Sequence, residues 1–156
     1  MTSQLQIKSK SLYEQDFNLW LDETVRKLKT NEFNEVDLEN LIEEVESLGN
    51  SNKHALSSYL RQLLRHLLKI QYWESERDYC LRGWDVEVAN FRSEIKSLLK
   101  RSPSLRNQCL ETFEEEYQKS HEIFLKESQI NSNIVPKSPP FTLEQPLDPN
   151  WQPWNK

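Results

Sequence analysis

Apolar side chains recur every three or four residues along most of this chain, the spacing that places them on one side of an α-helix. Tyr13, Phe17, Trp20, Leu21, Thr24 and Leu28 form the first stripe. Ser11 and Glu14 supply the S-x-x-E pattern of a capping box, so a helix is predicted over residues 12–30. Asp37 is a good N-cap for a second helix, 38–48, with Leu38, Leu41, Ile42, Val45 and Leu48 as its buried face. Gly49 is expected to end it, because glycine adopts the left-handed conformation that many helix ends need. Ser51 then caps a third helix, 52–73, whose stripe of Leu56, Tyr59, Leu60, Leu63, Leu64, Leu67 and Ile70 is the strongest in the chain. It is the expected centre of the core.

Residues 74–83 are charged and end in Gly83, and are predicted to be a loop. Trp84, Val88, Phe91, Ile95, Leu98 and Leu99 define a fourth helix that ends in Lys100-Arg101, cations suited to the negative end of the helix dipole. Ser102-Pro103 is a start signal, and Leu105, Cys109, Phe113, Tyr117 and Phe124 carry a fifth helix over 103–127. Six of the seven prolines lie beyond residue 128, so a long helix is not expected there. Ile134, Phe141, Leu143, Leu147, Trp151 and Trp154 are too apolar for a solvated linker and suggest a strap across the helices. The predicted fold is all-α: a single compact domain of about five helices over 11–127, a flexible N-terminus over 1–10 and a C-terminal strap over 128–156.

Composition narrows the functional classes. Of 156 residues only two are glycine, which excludes glycine-rich phosphate loops and dinucleotide fingerprints. Net charge is −5 and unevenly spread: −6 over residues 1–50, +4 over 51–101 and −3 over 102–156. An acidic chain fits nucleic acid poorly, although the middle segment could offer a basic patch. Cys80 and Cys109 form neither a disulfide framework nor a CxxC pair. No apolar run is long enough to span a membrane and the first residues lack a signal peptide's apolar centre, so a soluble cytoplasmic protein is expected.

Few residues suggest chemistry. His54 and His66 are twelve residues apart, about 18 Å along one helix, and cannot share an ion. Ser51, Leu63 and Gln118 stand three residues before the histidines, so the Glu-x-x-His pairs of di-iron bundles are missing. Neither a metal site nor a cofactor is expected. His66 falls at the edge of the apolar stripe, where a histidine can be structural or can act as a base. Glu44 and Asp16, the latter near Trp20, are candidates to orient it. Arg61 and His66 also spell R-x4-H, which resembles the ribonuclease motif of the HEPN family. There histidine handles a 2′-hydroxyl proton and arginine steadies the phosphorane charge. Five residues turn the two by about 140° around a helix, so one helix alone does not bring them together.

The order of segments carries a second resemblance. Tyr13–Asp16–Phe17–Trp20 is followed by Asp37-Leu38-Glu39-Asn40-Leu41-Ile42-Glu43-Glu44 with Ser47-Leu48-Gly49. Then come Leu63-Leu64-Arg65-His66-Leu67-Leu68-Lys69, Ser102-Pro103-Ser104-Leu105, and Phe141-Thr142-Leu143-Glu144-Gln145 with Leu147-Asp148-Pro149. Together, over about residues 11–150, they resemble the bacterial family called domain of unknown function 29. The resemblance implies an all-helical cytoplasmic protein and no particular activity. Glu74, Glu76 and Asp78 depart from the more uniformly basic stretch of many relatives. Three functions stay open: a non-enzymatic protein-interaction module, binding another protein or itself; a HEPN-like metal-independent ribonuclease using Arg61 and His66; and a small-ligand pocket near Trp20, His66 and Glu44.

Overall fold

The computed structural model describes residues 10–153. The flexible N-terminus expected over 1–10 and the tail residue Trp154 lie outside them, apart from Lys10. The described residues form helices α1 (Leu12–Gln15), α2 (Phe17–Lys29), α3 (Leu38–Tyr72), α4 (Glu74–Arg101), α5 (Leu105–Ser128) and α6 (Glu144–Leu147), with a 3₁₀ turn at Phe33–Glu35. The expected all-α class is therefore what the chain adopts. Packing groups the residues into two units, one ending at Gly49 and one beginning at Asn50.

In the first unit the single helix expected over 12–30 is two. Asp16 is extended (φ −150°, ψ 94°) and its carboxylate accepts from the Leu19 amide at 3.0 Å. Aspartate competes well for such orphan amides, so it starts a helix where the apolar stripe alone predicts continuity. Ser11 makes no side-chain cap. After Lys29, Asn31 takes the left-handed conformation (φ 60°), a residue type that tolerates it. Asp37 caps α3 as expected, accepting from the Asn40 amide at 3.3 Å and from its side chain at 2.7 Å.

Two predicted breaks are absent. Helix α3 runs 35 residues through Gly49 and Ser51. Gly49 has no positive φ and its side is open, so it sits in ordinary helical backbone. An interior glycine costs about 1 kcal/mol relative to alanine, too little to stop a helix that its flanks sustain. The loop expected over 74–83 is likewise the first part of α4. Glutamate and arginine are good helix formers, and Glu74 and Glu76 in the first turn suit the positive end of the dipole. The turn from α3 to α4 is Trp73 alone, with Arg77 donating to the Gln71 carbonyl at 2.7 Å across it. Trp73 stacks on Trp84 and meets Phe124 edge-on.

The second unit holds the core. Leu56, Leu60, Leu63, Leu64, Leu67, Leu68 and Ile70 of α3 are at most 1% exposed, packed with Val88 and Ile95 of α4 and Leu105, Cys109, Tyr117 and Phe124 of α5. Each buried leucine contributes roughly 1.5–3 kcal/mol. Arg61 faces Glu116, while Arg65 and Lys69 both reach Glu127, so α3 and α5 run side by side in one direction.

The C-terminal segment is short of amide donors because of its prolines, and it meets the helices mainly as an acceptor. Tyr117 donates to the Pro136 carbonyl at 2.5 Å and Gln118 to that of Lys137. Arg92 donates to Pro146 at 2.7 Å and to Trp151 at 2.9 Å. Val135, Leu143 and Pro146 are buried, and Phe141 sits among Phe113, Tyr117 and Trp151.

Candidate functional site

Asp16, Trp20 and Glu44 gather in the first unit around Tyr13. Asp16 caps the helix that carries Trp20. Trp20 is buried, with the Tyr13 ring against it at 4.9 Å and Phe17 stacked at 5.8 Å. The Tyr13 hydroxyl donates to the Glu44 carboxylate, tying α1 to α3. That bond and the nearby carboxylates push the Tyr13 hydroxyl up to about 12, so it remains a donor at neutral pH. The arrangement is a latch: an acceptor carboxylate with its donor.

Beyond this latch the first unit buries little; its buried residues in α2 are Trp20 and Thr24. Of the face expected to be buried at the start of α3, Leu41 is partly covered and the other four side chains are open. Leu38 is 61% exposed, Ile42 50%, Val45 60% and Leu48 68%. Phe17, Leu19, Val25, Leu28 and Phe33 are exposed as well. Glu39, Glu43, Glu44 and Glu46 accompany the α3 face, and residues 38–48 contain no lysine or arginine. Apolar side chains here are offered to solvent inside a negative rim.

Arg61 and His66 belong to the second unit and turn to different helices. Arg61 pairs with Glu116 of α5 at 3.5 Å. His66 is 7% exposed, 2.7 Å from the Gln62 carbonyl through Nδ1, and its ring lies 5.3 Å from Phe91 of α4. Burial first, and the nearby Lys69 and Arg65 charges next, hold the imidazole below its ordinary pKa. It is a neutral core histidine that donates to its own helix. The Cys109 thiol, fully buried, is pushed up to about 11 by burial and stays protonated. Among the described residues no three of His, Cys, Asp or Glu stand together as metal ligands, and no helix is long and apolar enough to cross a membrane.

The two features that sequence reasoning missed are the openness of residues 38–48 and the burial of Glu116. The first had a signal: acids without bases beside an apolar stripe. The second had none, since Glu114, Glu115 and Glu116 read as one solvated run, yet the third is 3% exposed while its neighbours are in water.

An all-helical protein with an apolar, acid-rimmed helix face is what these residues define. The chain belongs to the family described as Domain of unknown function DUF29, which matches it over residues 12–152. No curated protein and no solved structure matches it.

Proposed function

We propose that the chain is a non-enzymatic protein-interaction module whose partner is a helix bearing apolar and basic side chains, seated on the start of α3. The observation that carries this is the exposure of Leu38, Ile42, Val45 and Leu48, each half or more in water on one stripe of a regular helix. Covering such a side chain gains roughly 1.5–3 kcal/mol, so a partner helix laid along the stripe recovers what the isolated chain forgoes. Charge favours a basic partner over a second copy. Two copies face to face would oppose Glu39, Glu43 and Glu46 with their own equivalents, and like charges across an interface are costly.

Fluorescence titration of the full chain with a synthetic leucine–lysine amphipathic helix tests this, beside light scattering of the chain alone. Saturable binding is expected that weakens with salt and is lost in the Val45→Asp, Leu48→Glu double variant. Binding that is absent, or indifferent to those substitutions, overturns the reading. So does a dimer that the double variant converts to monomer, which would make the face a self-interface.

A further inference from the structure

Between α3 and α5 of the second unit lies a polar cavity of about 360 Å³. One wall is a row on α3, Lys53, Ser57 and Arg61, spaced by one helical turn, with His54 beside it. The other is a row on α5 that includes Gln108, Thr112, Glu116 and Lys119. Because the two helices run in the same direction, the cavity has two distinct ends. Lys53 and His54 mark one; Arg61, Glu116 and Lys119 mark the other, about 12 Å away by helical rise.

The Glu116 end is built rather than incidental. Glu116 is 3% exposed, and its Oε2 accepts no hydrogen bond from any described residue. Arg61 lies 3.5 Å from that oxygen, and Lys119 reaches the other at 3.4 Å. The charge is therefore balanced while one oxygen lacks a donor. Buried carboxylate oxygens are seldom left so, because an unmet acceptor away from water is costly. Oε2 has almost no accessible surface of its own, so a ligand's donor would complete the site as the partly exposed Arg61 side chain beside it shifts. At the opposite end, among the described residues, the side chains of Lys53 and His54 have no ion-pair or hydrogen-bond partner, and the Ser57 side chain lies between the two ends.

These ends ask for different chemistry. A bare anion suits Lys53 and His54 but meets the Glu115 and Glu116 carboxylates if it moves inward. No Phe, Tyr or Trp lines the cavity among the described residues, which leaves a nucleobase only the His54 ring and the Arg61 guanidinium plane to stack on, both of them charge-bearing groups that suit an anion better. A molecule with an anionic group at one end and hydroxyl donors at the other satisfies both. We propose that this cavity binds a phosphorylated sugar, with its phosphate on Lys53 and His54 and its hydroxyls donating to Glu116 Oε2. Ser57, Thr112 and Gln108 then offer further hydrogen-bond partners along the sugar. The site is independent of the exposed face of the first unit, and either can fail without the other.

Isothermal titration calorimetry of the full chain with ribose 5-phosphate and glucose 6-phosphate, alongside the free sugars and inorganic phosphate, is the test. At least one sugar phosphate is expected to bind about tenfold or more tightly than its free sugar or inorganic phosphate. Lys53→Met and Glu116→Gln are each expected to weaken it by about tenfold or more. Lys53 is exposed, so its variant keeps the fold even if loss of the buried carboxylate does not. No binding of either sugar phosphate overturns the proposal. So does inorganic phosphate binding as tightly as the sugar phosphates, or an affinity that Lys53→Met leaves unchanged.

Discussion

Residues 38–48 and 56–70 share one helix and a similar spacing of large aliphatic side chains, yet in the first Leu38, Ile42, Val45 and Leu48 stand half or more in water, while the second is at most 1% exposed. Backbone conformation is the same in both, so the difference arises from what covers each stripe. Over 56–70 the cover comes from α4 and α5, residues that follow later in the chain. Periodicity selects which side of a helix is apolar; long-range packing decides whether that side becomes core. On the proposed reading, the stripe that stays uncovered is where the partner helix docks.

The sharpest way to break the comparison is to truncate matched leucines. Leu60→Ala in the covered stretch is expected to cost about 2–5 kcal/mol of unfolding free energy, through lost burial and the cavity left behind. Leu48→Ala in the open stretch is expected to stay within about 0.5 kcal/mol, as exposed positions do. Urea denaturation measures both, and equal losses would mean that the start of α3 is covered in solution.

Gly49, near the join of the two stretches, gives a smaller effect of opposite sign. Its helical backbone and open side make Gly49→Ala stabilising by about 0.5–1 kcal/mol in the same assay. A loss of stability would show that the helix breaks there, as its sequence suggests.

The mildest probe is pH, and it reads the covered stretch alone. His66 is held neutral by burial against Phe91, with Lys69 and Arg65 opposing its protonation and Glu87 favouring it. Its folded pKa lies below that of the unfolded chain, so unfolding takes up a proton once the pH drops. The stability from neutral His66 is complete above about pH 6.5 and declines as pH falls through that value toward the folded pKa. Melting temperatures from pH 7.5 to 5 should show this decline, reduced in His66→Gln.

Much of the fold was legible in the sequence because it depends on local chemistry. The stripe over 56–70 and the Asp37 cap follow from spacing and side-chain acceptors. Gly49 and residues 74–83 misled because breaker and charge signals carry little energy beside a helix sustained on both flanks. The candidate site was less legible. Arg61 stands four residues before Arg65 and five before His66, and nothing in that order tells that it pairs with Glu116 while His66 turns to α4. Nor does the Glu114–Glu116 run reveal which carboxylate turns inward. Such choices are made by partners far along the chain: Phe91 for His66, and Glu116 for Arg61.

Tyr117, Gln118 and Arg92 hold the C-terminal segment by main-chain oxygens, which every amino acid possesses. Mutation along that segment therefore leaves the grip itself unaltered, provided Val135, Leu143 and Pro146 still fill their sockets. Evolution is free to rewrite most of this tail's lettering, while the clasping side chains on the helices must stay.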